Sequence, residues 1–206
     1  MNNEIESNLI CIFCYNVSNE IDAVLKKIIK YKLFKNHLLL INDHSSDDTL
    51  YKLKKFQLRF NKYKITIVNN NKNQNYGGNY KIAINFCKKN NFKKLIFLHG
   101  DDQYPANKVN KIIKKLDNCE LCFGSRMSNK RSSYKNMPLL KYIVNKLLTY
   151  FINTLFNSEY SEYFSGFRGI KIKPLRKINL QKLANGYEIE QQIHYIFIKN
   201  NYKITE

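Results

Sequence analysis

The chain has 206 residues, 44% of them hydrophobic, enough for the core of one domain, and its 7 Gly and 3 Pro give little sign of a flexible linker. A formal charge of +19 permits an anionic partner without identifying one, because the basic residues are scattered along helical stretches (Lys26, Lys27, Lys30; Lys111, Lys114, Lys115) and form no block. No stretch has the uninterrupted apolar length of a membrane span, no internal repeat is apparent, and Met1-Asn2-Asn3-Glu4 is polar and acidic, unlike a targeting sequence.

Residues 9–14 form an apolar run that reads as a buried strand, followed by Tyr15-Asn16. An amphipathic stretch over 20–31 leads to a second strand at 38–41, whose end carries Asn42-Asp43-His44-Ser45-Ser46-Asp47-Asp48-Thr49. A helix over 47–60 and a strand at 64–68 come next, then the loop Asn75-Tyr76-Gly77-Gly78-Asn79 and a helix over 78–89. A strand at 94–98 precedes His99-Gly100-Asp101-Asp102-Gln103-Tyr104-Pro105; a helix over 107–116 and a strand at 120–123 follow. This βαβα order predicts an α/β fold with a largely parallel sheet, and right-handed crossovers put the strand-end loops on one edge. Ligands bind outside the carboxyl ends of such strands. Asp43, Ser45, Ser46 and Asp47 could each cap one helix, and one cap is needed, so capping alone does not account for these loops.

The loop at 99–105 combines two adjacent carboxylates, an imidazole and an amide. Carboxylates there suit a hard divalent cation accompanied by phosphate oxygens, or else Asp101 or Asp102 caps the helix after Pro105. Gly77-Gly78 reads as a tight turn or as a place where backbone approaches a ligand before a helix start. Five cysteines include the pairs Cys11–Cys14 and Cys119–Cys122, each in or beside an apolar strand. Pleat alternation points neighbouring side chains apart, so zinc is not the leading reading, and the odd count fits a reducing compartment.

Leu139–Phe156 reads as a helix with Lys141, Asn145, Lys146 and Asn153 near one side and Tyr142, Ile143, Leu147, Tyr150 and Phe151 on the other. Core packing of the apolar face is the expectation, and a membrane interface is the alternative. A late helix over 187–199 and a last strand within 201–206 complete the chain, with no membrane-anchoring extension after it. Glu188 and Glu190 read as surface residues of the late helix and His194 as packing, so no separate catalytic base stands out.

In order and spacing these loops resemble family-2 glycosyltransferases with the GT-A fold, nearest the branch of dolichol-phosphate mannose synthase and bacterial polyprenyl-phosphate glycosyltransferases, over residues 10–206. Ile12-Phe13-Cys14-Tyr15-Asn16 is similar to the family's Pro-Ala-Tyr-Asn-Glu loop, and residues 42–49 to its Asp-Asp-x-Ser-x-Asp-x-Thr loop. Residues 75–81 are similar to its Asn-x-Gly loop, and His99 to Pro105 to its Asp-x-Asp metal motif followed by Gln. Gly124-Ser125-Arg126 and Ser165-Gly166-Phe167-Arg168 match segments whose arginines line the phosphate and acceptor side.

The resemblance implies a Rossmann-like three-layer α/β sandwich in a single domain, with a nucleotide-sugar half at about 1–125 and an acceptor half at about 126–206. It implies inverting transfer from a UDP- or GDP-linked sugar to a sugar or a lipid phosphate. Nucleotide contacts would come from Tyr15, Asn16, Asp43, Asn75, Gly77, Lys81 and Gly100, with Lys81 reaching a donor phosphate. Asp101, Asp102, Gln103, Arg126 and Arg168 would be catalytic, and Mn²⁺ or Mg²⁺ would sit on Asp101 with His99. Read without the family, Arg126 and Arg168 are equally ion-pair residues, and His44 and His99 hydrogen-bonded loop residues. A lipid phosphate is already ionised and needs no base, which together with the charge and the 139–156 helix leans toward that acceptor, at the cytoplasmic face of a membrane.

Five positions depart from the pattern: Phe13 for Pro, Asn42 and His99 for the first Asp of their motifs, Asp102 for Gly, and Gln192 for an acidic residue. Asn42, His99, Gln192 and the abrupt end at Glu206 favour a second expectation, a member that binds nucleotide without transfer. A nucleotidyltransferase would carry a glycine- and arginine-rich first loop, absent here. A nucleic-acid surface would interleave exposed aromatics with Lys and Arg, whereas these aromatics mostly occupy core positions, so no nucleic-acid partner is expected.

Overall fold

The computed structural model describes residues 7–127 and 138–206; the polar Met1–Glu4 segment lies outside them. Seven strands, β1 (Asn8–Cys14), β2 (His37–Asn42), β3 (Ile65–Asn69), β4 (Lys94–His99), β5 (Leu121–Phe123), β6 (Arg168–Lys171) and β7 (Ile204–Thr205), form one sheet in the order β3-β2-β1-β4-β6-β5-β7. β6 runs antiparallel to both its neighbours, and the other pairings are parallel. The order reverses between β1 and β4, the place where an α/β sheet opens a crevice.

Period-two alternation splits each strand between two cores. Ile10, Ile12 and Cys14 pack with α1 (Ile21–Lys30), α2 (Thr49–Arg59) and α4 (Val109–Lys115), whereas Leu9 and Cys11 pack with α3 (Asn75–Lys89) and α7 (Glu188–Lys199). A short α6 (Ile172–Leu175) joins the second layer. The result is the expected three-layer α/β sandwich. Cys11 and Cys14 fall on opposite faces as alternation requires. Cys119 and Cys122 share one face, because Cys119 precedes β5 and escapes its pleat. A hydrogen bond from Cys122 is the largest influence holding the Cys119 thiol down at about 7.

Three local expectations change. α3 starts at Asn75, so Gly77 and Gly78 lie in its first turn and form no separate turn before it. β6 went unread because it is four residues long and carries Gly169, where a Cβ would come within 2.5 Å of Ile112 Cγ2. α5 (Leu139–Phe156) is inverted relative to core packing: Leu147, Tyr150 and Phe151 are 65%, 74% and 64% exposed, while Asn145 and Thr149 are buried. Its polar stripe at i, i+4 and i+8 turns inward because it has partners there. Asn145 Nδ2 donates to Glu162 Oε1 (3.3 Å), Thr149 Oγ1 to Asn145 Oδ1 (3.4 Å), and Asn153 Nδ2 to the Tyr160 carbonyl (2.8 Å).

Candidate functional site at the carboxyl edge of the sheet

The ends of β1, β2 and β4 and the start of α3 bring Tyr15, Asp43, Asn75, His99 and Asp101 around one cavity of about 480 Å³. A second cavity of about 720 Å³ shares Tyr76, His99, Asp101 and Tyr187 with it and continues to Gln103, Arg126, Glu190 and the α5 residues Leu140, Lys141, Val144 and Leu148. A third, of about 700 Å³, lies beyond Gln103 and Tyr104 toward Lys111 and Lys115 and touches none of Asp43, His99 or Asp101. The first two form a continuous site with Asp101 and His99 at the junction.

Asp43 is buried, and its Oδ1 accepts from Asn70 Nδ2 (2.8 Å) and the Gln74 amide (2.7 Å), leaving Oδ2 for a ligand. Asn16, in the left-handed region at φ 49°, ties the first loop to the second: its amide donates to Ser45 Oγ (3.0 Å) and its Oδ1 accepts from the Ser46 amide (2.9 Å). It braces the cavity without lining it. Gly100 also lies beneath the site, its amide donating to the Phe13 carbonyl (2.8 Å), where a Cβ would come within 2.9 Å of Val17.

At the β4 loop the two carboxylates separate. Asp102, at φ 62°, points to Lys27, whose Nζ donates to both its oxygens at 2.8 and 2.6 Å. Asp101 lines both cavities, and among the described residues its Oδ1 accepts only from the Gln103 amide, at 3.2 Å. The His99 ring is wedged among Tyr104, Tyr76 and Phe13, with centroids 4.6, 5.5 and 5.9 Å away. Its Nε2 is buried without a hydrogen-bond partner among the described residues. Burial lowers this imidazole to about 4 despite the opposing charge of Asp101, so it is neutral near pH 7.

Lys81, expected at a donor phosphate, is buried: its Nζ donates to the Leu183 carbonyl (2.6 Å) and Asn185 Oδ1 (2.7 Å). Gly77 holds the same segment, its amide donating to the Asn185 carbonyl (2.7 Å), and a Cβ there would meet the Ala184 carbonyl at 2.5 Å. Gln192, in place of an acidic residue, accepts from the Ala184 amide (2.8 Å). These three residues stitch the 183–187 loop over the first cavity, where Tyr187 stacks on Tyr76 (4.6 Å).

Arg126 lines the second cavity, its amide donating to Glu162 Oε2 (2.8 Å) and its Nε to Oε1 (3.0 Å). Burial opposes its charge, but Glu162 outweighs that and keeps its pKa raised. Arg168 lines neither cavity; it is fully buried and donates to the carbonyls of Ser165 (2.9 Å) and Tyr163 (3.1 Å). Its Nε lies 3.5 Å from Glu190 Oε1. Glu190 is therefore no surface residue: it is buried and accepts from the Tyr76 hydroxyl (2.6 Å). Burial raises its pKa, with Arg168 and Tyr76 pulling it down. Its position i−4 to His194, flanking the stripe Ile189–Ile193–Phe197, was the signal in the sequence that it faces inward.

Among the described residues no three His, Cys, Asp or Glu side chains gather as a metal cage. A cation that travels with a diphosphate needs only one or two protein ligands, and Asp101 with the unpartnered His99 nitrogen supplies two. The residues fit a divalent ion. When bound, it would neutralise charge on a diphosphate.

This topology, with a crevice over β1 and β4, defines a GT-A glycosyltransferase fold. A mannosyltransferase from Pyrobaculum calidifontis, solved with GDP-Man and Mn²⁺, superposes with a TM-score of 0.66 at 13% identity over 97% of this chain and 54% of its own. Glucosyl-3-phosphoglycerate synthase from Mycobacterium tuberculosis, solved with UDP, gives 0.69 at 12% over 97% and 70%. The chain thus spans between half and about two thirds of these solved proteins. Residues 9–179 match glycosyl transferase family 2, and the chain belongs to that family. A UDP-N-acetylglucosamine–dolichyl-phosphate N-acetylglucosaminyltransferase of Methanococcus voltae is 26% identical over 205 residues, 93% of this chain and 80% of its own.

Proposed function

We propose that this chain carries out metal-dependent, inverting transfer of a sugar from a UDP- or GDP-linked donor to a polyprenyl phosphate at a membrane face. The observation that carries the reading is the continuous site whose acceptor side is walled by Leu140, Val144 and Leu148 of the outward-turned helix α5. An apolar wall beside Arg126 and Lys141 suits a phosphate attached to a long hydrocarbon. The dolichyl phosphate in the name of the Methanococcus voltae relative and the GDP-Man and UDP of the solved neighbours support the same donor and acceptor classes.

Asp43 Oδ2 and Tyr15 would hold the nucleoside end, and the 183–187 loop would close over it. Asp101 and His99 would hold the cation at the diphosphate. Gln103, Arg126 and Lys141 would orient the acceptor phosphate for in-line attack, and its ionised oxygen needs no base. No helix among the described residues is long and apolar enough to cross a membrane, so the contact proposed is with its surface.

One observation favours a second reading: Glu190 is a buried carboxylate in the acceptor cavity, suited to deprotonate a sugar hydroxyl. Supplying UDP- and GDP-sugars with vesicles containing polyprenyl phosphate, or with soluble sugar acceptors, separates the two. Glycolipid formation, lost in Asp101→Asn, is the expected result. Transfer only to soluble sugars favours the Glu190 reading, and nucleotide binding without transfer to either marks an impaired member of the family.

A further inference from the structure

The position that carries the first carboxylate of the family's metal motif is a histidine here, and its surroundings single it out as a ligand. His99 ends β4 two residues before Asp101, and both side chains line both cavities. Ring contacts to Tyr104, Tyr76 and Phe13 fix its plane. Its buried Nε2 has no hydrogen-bond partner among the described residues, a state unfavourable for a polar atom unless a ligand fills it. The neighbouring carboxylates have other work: Asp102 is held by Lys27, and Glu190 by Tyr76 and Arg168. Asp101 and His99 remain as the available pair.

A nitrogen in that pair changes which ion the site prefers. Mg²⁺ is a hard ion that favours oxygen and gives up water reluctantly, whereas Mn²⁺ and Co²⁺ accept imidazole more readily. We propose that His99 makes this a mixed nitrogen–oxygen cation site, selecting Mn²⁺ or Co²⁺ over Mg²⁺ at the junction of the donor and acceptor cavities. This rests on the donor reading above and adds a specificity-determining residue to it.

The test uses the full chain with UDP or GDP and needs no turnover. Pulsed electron paramagnetic resonance on the Mn²⁺–nucleotide complex should show a coupled ¹⁴N that shifts when the histidines are labelled with ¹⁵N. His44→Ala should keep that coupling, and His99→Asp and His99→Asn should lose it. In calorimetric titrations, Mn²⁺ should support nucleotide binding at least about tenfold better than Mg²⁺, and His99→Asp should narrow that ratio by about tenfold. The labelled wild-type spectrum stands even if a variant folds poorly. A Mn²⁺–nucleotide complex without histidine coupling overturns the mixed site and leaves the donor reading intact. Binding of neither nucleotide with any ion overturns the donor reading, and the mixed site with it.

Discussion

The Tyr76 hydroxyl donates a 2.6 Å hydrogen bond to Glu190 Oε1, joining the first turn of α3 to the first turn of α7 across 114 residues of sequence. Arg168 Nε of β6 lies 3.5 Å from the same carboxylate oxygen. Tyr76 in turn stacks on Tyr187 and meets the edge of His99. This network fixes the wall shared by the two cavities that meet at Asp101.

Replacing that carboxylate distinguishes the two acceptor chemistries. Glu190→Gln keeps an acceptor for Tyr76 but leaves buried Arg168 without its countercharge, costing on the order of 3 kcal/mol in chemical denaturation. With a lipid phosphate acceptor, kcat should fall by less than about tenfold once the protein is kept folded. General-base catalysis would cost about 10²–10⁴-fold with KM little changed. Initial rates across acceptor concentrations read the difference.

Lys81→Met should weaken nucleotide binding by releasing the 183–187 loop, not by removing a charge from a phosphate. Among the described residues its Nζ bonds only Leu183 and Asn185. Calorimetry should therefore show an affinity loss whose size does not change with ionic strength. Gly77→Ala should act in the same direction, because its Cβ would strike the Ala184 carbonyl, and overpacking there should cost about 1–3 kcal/mol in a thermal melt. A loss for Lys81→Met that fades as salt rises would return Lys81 to the phosphate.

His194 predicts a defined acid sensitivity. It sits among Phe123, Tyr160 and Tyr163, neither ring nitrogen has a partner among the described residues, and burial followed by Arg168 lowers its pKa from 6.5 to about 3. Below pH 6.5 the unfolded chain binds a proton there that the folded chain refuses. The stability it contributes is full above pH 6.5 and drains as pH falls toward 3, at up to about 1.4 kcal/mol per pH unit. His194→Phe should remove that slope while staying within about 1 kcal/mol of wild type at pH 7.5. Urea denaturation at pH 7.5, 6 and 5 measures it, and parallel slopes for the two proteins would refute it.

Six of the seven strands were legible because short apolar runs closed by polar loops announce themselves locally, and the loops at 15–16, 42–49, 75–79 and 99–105 were legible because polar runs after such strands have one edge to go to. Residues whose roles depend on distant partners were not. Lys81 reads as a ligand cation until Leu183 and Asn185, 102 and 104 residues away, claim it. Glu190 reads as a solvated charge until Tyr76 and Arg168 bury it. Asp102 sits beside Asp101 in the sequence, yet a left-handed backbone and Lys27, 75 residues earlier, take it out of the site.

α5 was misjudged for the same reason, and the consequence can be measured. Its apolar residues read as core, but Glu162 and Tyr160 hold the stripe Asn145–Asn153 inward and turn Leu147, Phe151 and Leu155 outward. Burying each of those side chains in a bilayer interface gains roughly 1.5–3 kcal/mol, and lysines such as Lys141 add attraction to anionic lipid. A Leu147→Glu/Phe151→Glu/Leu155→Glu variant should fold with near-wild-type stability, since all three are exposed, and should bind phosphatidylglycerol vesicles at least about tenfold more weakly. Sedimentation with vesicles reads this directly. High salt should weaken the wild type only in part, because the apolar share is not screened. Equal binding by both proteins would assign the interaction to the scattered lysines and leave α5 without a membrane role.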